Sequence, residues 1–336
     1  MRSIALGPDR RLSVQEGPTP EPGAGEVRVD VAYSGICGSD LHAVYDQDPV
    51  AAGQVLGHEF SGRVARLGPG VTGWTVGERV TVLPIDACGE CAACGREDGV
   101  CLAGLFLGPG LGRPGGFAES VVVPDRMLVR LPDEVDDRAG ALVEPLAVGY
   151  RAARHTGAGP GARVLVLGAG PVGLLTVIGL RARGVESIAL VESNPARRAV
   201  AEALDLGVAA VGDAASAADL LGGPADAAVD ATGHPSAPGS AFPVLRSGGT
   251  LVVVGICMVP APLDLLTLAT SELVVRGSLA YSRADFAEAV RMLASGSVPV
   301  DRIVTAVAAL DEAGEIVEDL HGGRSQHVKV LLAVGS

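Results

Sequence analysis

The sequence has few aromatic residues and no cluster of basic ones. Aromatic side chains make up 3% of its 336 residues, so Ala, Val, Leu and Gly must supply the core. The 47 glycines and 22 prolines are spread along the chain and form no low-complexity tract. Twenty-six Lys and Arg residues face 39 Asp and Glu residues, for a formal net charge of −13. Nucleic-acid-binding proteins gather basic side chains on one face to neutralise phosphates, so this composition argues against that class.

The sequence also lacks an uninterrupted apolar segment of membrane-spanning length. Residues 164–180 and 247–263 are each 17 residues long without a charge, at the short limit for a spanning helix. Glycine and proline divide both stretches into strand-sized pieces. The N-terminus carries Arg2 and Arg10 without an apolar core between them, which is not typical of a signal peptide. We therefore predict a cytoplasmic protein without a membrane segment.

Two different patterns of apolar residues divide the chain. Up to about residue 145, short alternating runs with Gly and Pro between them predict a β-rich region, as in 26–33. From about residue 160, wholly apolar runs alternate with helical spacing, which is typical of βαβ units around a parallel sheet. Strands are predicted at 62–67, 79–83, 119–123, 164–167, 187–191, 227–230, 250–254, 273–275 and 328–332. The predicted fold class is α/β, with a β-rich domain (1–145), a doubly wound parallel-sheet domain (146–280) and a C-terminal return to the first domain (281–336).

A glycine-rich turn lies between a predicted strand and a predicted helix. It consists of Gly168, Ala169, Gly170, Pro171, Val172 and Gly173, and it fits the dinucleotide fingerprint G-x-G-x-x-G. Such a match is weak by itself in a glycine-rich chain, but its position directly after an apolar strand makes it specific. Gly168 would permit the tight turn, Gly170 the approach of a pyrophosphate, and Gly173 close packing of helix on strand. The N–H groups at the helix start would then bind the phosphates.

An acidic residue at the end of the next strand bears on the choice of coenzyme. Glu192 lies 19 residues after Gly173, where a carboxylate would accept hydrogen bonds from the adenosine ribose and repel a 2′-phosphate. This position favours NAD over NADP, although Arg197 and Arg198 nearby weaken the argument. The alternative is a glycine-rich turn with an unrelated surface glutamate.

Four of the six cysteines fall within a short segment. Cys88, Cys91, Cys94 and Cys101 have a spacing that in a cytosolic protein indicates zinc rather than disulfides. Four thiolates complete a tetrahedral shell, which is typical of a structural site. The alternative, four coincidental thiols, requires an improbable clustering.

A second possible metal site combines residues that are more distant in sequence. Cys37 is followed 21 residues later by His58 and Glu59. A thiolate, an imidazole and a carboxylate with a fourth position open would make a catalytic zinc site. Alone, these residues would not define one, because a single Cys or His is usually packed. Cys257 has no such neighbours, and we expect it to be a buried apolar residue.

Taken together, these motifs resemble the zinc-containing medium-chain dehydrogenase/reductase superfamily, and most closely its sorbitol and 2,3-butanediol dehydrogenase branches. The likeness covers nearly the whole chain, through segments at 35–42, 57–62, 88–101, 144–149 and 168–173 and the closing strand. It implies a GroES-like catalytic domain, a Rossmann domain, and a homodimer or homotetramer.

The resemblance also implies the ligands of a catalytic zinc. Cys37 and His58 correspond to ligands, and Glu144 stands where the alcohol dehydrogenase branch has cysteine and the polyol branch has glutamate. Glu59 corresponds to the neighbouring acid, which either binds zinc or lies just behind it, and an exchange of the two glutamates during turnover is compatible with the resemblance. Asp40 corresponds to a residue that orients the His58 ring, although a helix-capping or turn role competes with this interpretation.

Ser39 and His42 match the proton relay of the family, in which a hydroxyl takes the proton and an imidazole passes it to solvent. His42 could instead be an ordinary surface histidine. The motif and the resemblance assign the coenzyme to Gly168, Gly170, Pro171, Val172, Gly173, Glu192, Arg197, Thr232, Gly255 and Ile256, with Asp230 beside them. Asp230, Thr232, Gly255 and Ile256 could equally serve packing or turns.

One interval departs from the family. Six residues separate Cys94 from Cys101, where the family has seven. We expect the cysteine lobe still to close around zinc, with an altered loop geometry that can weaken binding.

These features predict an enzyme that transfers a hydride between NAD and a secondary alcohol, diol or polyol, with one catalytic and one structural zinc per subunit. Its partner is a small-molecule substrate, selected by loops such as 43–55 and 105–115. The alternatives are an NADPH-dependent reductase of a specialised biosynthetic ketone or aldehyde and, from a different class, a non-catalytic protein that binds nucleotide and zinc.

Overall fold

The computed structural model describes residues 1–46 and 50–335, so residues 47–49 of the predicted substrate loop lie outside the described part. The chain divides into two compact units. We call residues 1–144 with 282–336 the mixed-sheet unit and residues 145–281 the parallel-sheet unit.

The elements follow one another in this order. Residues 1–155 contain β1 (Arg2–Leu6), β2 (Leu12–Glu16), β3 (Glu26–Gly35), α1 (Gly38–Tyr45), β4 (Glu59–Leu67), β5 (Arg79–Val82), α2 (Leu102–Phe106), β6 (Ser120–Pro124), β7 (Leu128–Arg130), α3 (Asp137–Gly140) and α4 (Val143–His155). Then come β8 (Arg163–Leu167), α5 (Pro171–Ala182), β9 (Ser187–Val191), α6 (Pro195–Ala203), β10 (Ala209–Val211), α7 (Ala214–Leu221), β11 (Ala225–Asp230), α8 (Ala237–Ala241), β12 (Leu245–Val253), α9 (Leu265–Thr270) and β13 (Val274–Gly277). The chain ends with α10 (Arg283–Ala294), α11 (Val300–Ile303), β14 (Val304–Ala309), α12 (Ala313–His321) and β15 (Lys329–Ala333). Single 3-10 turns lie at Asp125–Met127, Phe242–Val244 and Leu310–Glu312.

The mixed-sheet unit is built around β3. Its strands run in the order β14-β15-β3-β4-β5-β7, β6 also pairs with β3, and β1 and β2 form a separate antiparallel pair. Val27, Val29 and Val31 are buried while Asp30 is exposed, which is the alternation of a strand with one wet face. The closing strand β15 pairs with β3 antiparallel, so the C-terminal segment completes the sheet begun near the N-terminus.

The parallel-sheet unit has six parallel strands in the order β10-β9-β8-β11-β12-β13. Counted from β8, this is the order 3-2-1-4-5-6 of a doubly wound dinucleotide fold. Residues Val164 to Leu167 are buried on both faces of the sheet, as their apolar run predicts. The α/β fold class is therefore confirmed, with most strand ends within a few residues of the prediction.

In the described part of the chain, no helix has the length and apolar character needed to cross a membrane. The uncharged stretch 164–180 forms β8 and most of α5, and the stretch 247–263 forms the end of β12 and the following loop.

Candidate active site and cysteine lobe

The possible catalytic metal ligands meet at the carboxyl end of β3. Cys37 precedes α1 directly, and His58 precedes β4, which begins at Glu59. The register of the sheet places Gly35 opposite Glu59, so it brings the two segments together. One potential ligand atom from each of Cys37, His58 and Glu59 lies within 4.8 Å of the others. The predicted grouping is thus present in three dimensions for these three residues.

Glu144 is buried in the first turn of α4, and its charge influences the pKa of His58. Burial alone would lower the pKa of His58, but the charge of Cys37 and a hydrogen bond with it, followed by the charges of Glu144 and Asp40, raise that pKa well above its usual range. The cluster therefore carries an excess of acidic groups, which is the environment that a divalent cation requires.

The ring of His58 supports a metal at this site. Its Nε2 lies 3.4 Å from the hydroxyl of Ser39, whereas the buried Nδ1 has no hydrogen-bond partner in the described part of the chain. Buried ring nitrogens are normally paired, so an unpartnered ring nitrogen in a residue grouped with a thiol and a carboxylate fits a metal ligand.

Asp40 has a structural role as well as an electrostatic one. Its Oδ2 accepts a hydrogen bond of 2.9 Å from the backbone N–H of Cys37. Burial raises the pKa of Asp40, while the charge of His58 and the Cys37 N–H oppose that rise. Asp40 thus fixes the start of α1, and its hydrogen bond to the Cys37 N–H fits the helix-capping interpretation rather than a direct bond to the His58 ring.

Lys329, the first residue of β15, is a member of this cluster that sequence reasoning missed. It is 1% exposed, its Nζ forms an ion pair with Oε2 of Glu59, and it donates a hydrogen bond of 2.8 Å to the carbonyl of Ile36. The available signal was a single lysine in an otherwise apolar closing strand, since Lys is almost never fully buried without a partner.

The two predicted relay residues lie on α1. Ser39 is next to His58, as described above, and His42 is half-buried four residues before Asp46. Nδ1 of His42 is hydrogen-bonded to Oδ2 of Asp46. Because a carboxylate oxygen only accepts, this contact assigns the proton to Nδ1 and leaves Nε2 as an acceptor.

The four lobe cysteines form a second, separate cluster. Their sulfur atoms are 3.8 Å apart for Cys88 and Cys94, 3.6 Å for Cys91 and Cys94, 3.9 Å for Cys91 and Cys101, and 3.6 Å for Cys88 and Cys101. Zinc–sulfur bonds of about 2.3 Å give a tetrahedron with edges of about 3.8 Å. The donor atoms therefore fit a zinc ion, and the shorter interval before Cys101 does not prevent them from converging.

Cys101 also caps α2. Its sulfur accepts hydrogen bonds from the backbone N–H groups of Cys88, at 3.4 Å, and Gly104, at 3.3 Å. These bonds, that of Cys88 first, lower the pKa of the Cys101 thiol to about 6, so the thiolate needed for metal binding is favoured. Cys257, in contrast, is half-buried rather than fully buried, so that expectation was too strong.

The glycine turn has the geometry expected of a dinucleotide loop. Gly168 has a φ of +97°, and a Cβ on Gly173 would lie 1.9 Å from the carbonyl oxygen of Gly168. At Gly170, no heavy atom of the described chain lies within 4 Å of a Cβ position. Pro171 begins α5 with Val172 behind it, so the first turn has N–H groups without an intrahelical partner, which suits a phosphate group.

The residues around this loop are held by short contacts. Asp230 Oδ1 accepts hydrogen bonds from the backbone N–H and the hydroxyl of Thr232, at 2.9 and 2.6 Å. Burial raises the pKa of Asp230, and the two bonds from Thr232 oppose that rise. A Cβ on Gly255 would lie 2.3 Å from the backbone nitrogen of Gly233, whereas the side chain of Ile256 is half exposed.

Comparison with known proteins identifies the class of protein. The family model of the alcohol dehydrogenase GroES-like domain matches residues 23–133, and that of the zinc-binding dehydrogenases matches residues 171–295. A 2-dehydro-3-deoxy-L-galactonate 5-dehydrogenase from Pseudoalteromonas atlantica is 37% identical over 96% of this chain and 96% of its own length. D-xylulose reductase A from Aspergillus niger is 32% identical over 98% of this chain and 96% of its own. The crystal structure of 2R,3R-butanediol dehydrogenase from Bacillus subtilis has a TM-score of 0.87 and 31% identity, over 99% of each chain.

The chain therefore belongs to the zinc-dependent alcohol dehydrogenase family of the medium-chain dehydrogenase/reductases, and it is an oxidoreductase. This confirms the resemblance noted from the motifs, including the GroES-like and Rossmann domains. The family as a whole uses zinc and a nicotinamide coenzyme, and the two metal-fitting clusters and the glycine loop described above are the parts of this chain that suit them.

Proposed function

We propose that this protein is a zinc-dependent, NAD-linked dehydrogenase that interconverts a secondary alcohol, vicinal diol or polyol and the matching ketone. The observation that carries the proposal is the cluster of Cys37, His58 and Glu59, with the buried Glu144 near enough for its charge to raise the pKa of His58. A glutamate at position 144, rather than a cysteine, is the feature of the polyol branch. The named activities of the relatives from Pseudoalteromonas, Aspergillus and Bacillus also concern sugar acids, sugars and diols.

Different residues of the chain are assigned to metal binding and to proton transfer. Cys37, His58 and one of the two glutamates hold the catalytic zinc, and Cys88, Cys91, Cys94 and Cys101 hold the structural one. When bound, zinc would supply a Lewis acid for the substrate oxygen and NAD would supply the hydride acceptor. Ser39 would accept the hydroxyl proton while giving up its own, and His42, whose Nε2 is an acceptor in the neutral ring, would pass that proton to solvent.

The coenzyme assignment depends on Glu192. Its two carboxylate oxygens accept hydrogen bonds from the backbone N–H groups of Ala169 and Asn194, so the charge is held beside the glycine loop. A fixed negative charge there disfavours a 2′-phosphate. The guanidinium of Arg198 donates a hydrogen bond of 2.8 Å to the backbone carbonyl of Glu192 rather than to its carboxylate. These contacts support NAD over NADP.

The proposed assembly is a homo-oligomer in the cytoplasm. β13 is an edge strand of the parallel sheet, and all four of its residues are exposed. Leu265 and Leu266 on α9 are also exposed, at 69% and 73%. An edge strand beside exposed apolar side chains favours pairing with a second copy of the chain. Four cysteines poised for zinc favour a reducing compartment.

The first experiment measures NADH formation from NAD with a panel of secondary alcohols, vicinal diols and polyols, with and without a strong chelator. We expect chelator-sensitive turnover of at least one panel member, and the substitution Cys37→Ala should abolish it while NAD still binds. Turnover that survives Cys37→Ala would place the catalytic metal elsewhere.

Two further outcomes favour the alternatives. A measured preference for NADP would favour a biosynthetic reductase and contradict the Glu192 argument. If no panel member is turned over although zinc and NAD are both bound, a specialised substrate or a non-catalytic protein would be favoured.

A further inference from the structure

Arg10 connects the turn between β1 and β2 to the end of α1. It is half-buried, and Nη2 of its guanidinium donates a hydrogen bond to the carbonyl of Ala43, near the end of that helix. Nη1 donates a second hydrogen bond, of 2.8 Å, to the carbonyl of Val50. One side chain therefore holds two backbone carbonyls that lie 33 and 40 residues further along the chain.

The first of these bonds closes the C-terminal end of α1. The last four carbonyls of an α-helix have no partner inside the helix, and in α1 the first two of them belong to His42 and Ala43. The backbone N–H of Asp46 donates to the carbonyl of His42 at 3.0 Å, and Arg10 donates to that of Ala43. A cation at this end of a helix is also favoured by the helix dipole. Arg10 thus caps α1 from a turn that is distant in sequence.

The turn itself does not require an arginine. Arg10 has a φ of +62°, in the left-handed region that glycine and asparagine adopt most readily. The turn is closed by backbone groups alone, from Arg10 N–H to the carbonyl of Gly7 at 3.0 Å and from Gly7 N–H to the carbonyl of Arg11 at 2.7 Å. An arginine here has an unfavourable backbone conformation, so the side-chain contacts are what account for it.

The base of this turn is held against the segment that follows α1. The backbone N–H of Leu6, the last residue of β1, donates to the carbonyl of Gln54 at 2.9 Å. The carbonyl of Leu6 accepts a hydrogen bond of 2.7 Å from the N–H of Gly53. Arg10 therefore extends from a fixed support, and its guanidinium transmits that support to the end of the helix.

The end of α1 also carries the predicted proton relay. Nδ1 of His42 is hydrogen-bonded to Oδ2 of Asp46, which directly follows the helix. This contact spans the same final turn in which Arg10 holds Ala43. Loosening that turn would move Asp46 relative to His42, and with it the tautomer and the direction of the ring.

We propose that Arg10 is a positioning residue for proton transfer, which keeps the His42 ring aligned on Asp46 by capping α1 from the β1–β2 turn. This inference rests on the proposed function, since it requires His42 to carry the substrate proton. It gives Arg10 no part in holding zinc or coenzyme, so the effect of its loss should be confined to turnover.

A set of single variants tests this role. Arg10→Gly removes the guanidinium and suits the left-handed backbone, so it should fold. We expect its kcat to fall about tenfold, because a misplacement of about 1 Å can cost about 100-fold. Zinc content and the Kd for NADH should stay within about twofold of the unmodified protein. Arg10→Lys keeps the charge but lacks the planar fork, so it should retain more of the kcat. Arg11→Ala removes the same charge from the exposed neighbouring residue and should leave kcat unchanged.

A double-mutant cycle separates positioning from a merely structural effect. If Arg10 acts through His42, adding Arg10→Gly to His42→Gln should change kcat by less than about twofold. Independent effects would multiply instead, and kcat of the double variant would lie about tenfold below that of His42→Gln. The measurement is steady-state kcat of the four proteins with a panel alcohol that the unmodified chain oxidises.

A kcat of Arg10→Gly within about twofold of the unmodified protein, or effects that multiply in the cycle, would overturn the proposal. Should Arg10→Gly fail to fold, Arg10→Asn replaces it, because asparagine also tolerates a left-handed φ. Failure of the proposed function is distinguishable. Full turnover by His42→Gln would remove the relay itself, whereas an impaired His42→Gln beside a normal Arg10→Gly would contradict only the role of Arg10.

Discussion

The backbone N–H of Ala169, inside the glycine loop, donates a hydrogen bond of 3.1 Å to Oε2 of Glu192, just after β9. The other carboxylate oxygen accepts from Asn194, the residue that caps α6, at 3.0 Å. Glu192 therefore links the glycine loop of one βα unit to the helix start of the next. A change at this residue should affect both coenzyme choice and loop position.

Glu192→Ala should weaken NAD use and relax discrimination against NADP. Losing hydrogen bonds to a charged group costs about 1.5–3 kcal/mol, which is roughly 10- to 100-fold in kcat/KM for NAD. The measurement is the ratio of kcat/KM for NAD to that for NADP. Glu202→Ala, an exposed glutamate on α6, is the matched control and should leave the ratio unchanged. An unaltered ratio in the Glu192 variant would show that this carboxylate does not contact the ribose.

Alanine substitutions at two glycines of the coenzyme loop should have different effects, one on NADH binding and the other on stability. Gly170 has a φ of −72° and a ψ of 178°, which any residue adopts, and space around its Cβ position. Gly170→Ala should leave the unfolding temperature of the coenzyme-free protein nearly unchanged, yet weaken NADH binding at least about tenfold by blocking the pyrophosphate. Gly173→Ala should lower stability by about 1–3 kcal/mol, because its Cβ meets the carbonyl of Gly168.

Thermal unfolding without coenzyme and fluorescence titration with NADH separate these two effects. Normal NADH affinity in Gly170→Ala would mean that the pyrophosphate does not approach the loop at this residue.

The pairing of His42 with Asp46 makes the proton relay testable. His42→Gln should lower kcat by about 100-fold at neutral pH, the scale of a lost general base, and added imidazole should restore part of it. Asp46→Ala should lower kcat by about tenfold, because the ring loses the contact that fixes its tautomer and orientation. The exposed His327 offers a control, His327→Gln, for the effect of removing an imidazole. Full turnover and an unshifted pH profile in His42→Gln would identify His42 as an ordinary surface histidine.

Local signals in the sequence predicted much of the parallel-sheet unit. Asn194 caps α6 through its side chain, Pro195 begins that helix, and Gly207 adopts a left-handed φ of +69° beyond its end. Such features depend on neighbouring residues alone, and the wholly apolar run at β8 is as informative because it reports burial directly.

The contacts of the catalytic cluster could not be predicted in the same way. The pairing of Gly35 with Glu59 and the arrival of Lys329 on β15 are set by strand register between distant segments. A lysine at the start of a strand is usually solvated, so its place in an otherwise apolar strand was only a weak sign of burial. The resemblance named the ligands, but the buried ion pair of Lys329 with Glu59 became visible only in three dimensions.

The cysteine lobe should keep its metal when the catalytic cluster is destroyed. The sulfur separations of 3.6–3.9 Å already match a zinc tetrahedron, so the double variant Cys37→Ala/His58→Ala should retain about one zinc per subunit by elemental analysis. The complementary variant Cys94→Ala/Cys101→Ala should keep the other zinc but unfold about 5–10 °C lower, because a structural metal contributes folding energy directly. Less than one zinc in the first variant would show that the shortened interval before Cys101 weakens the lobe, despite the convergence of its four sulfur atoms.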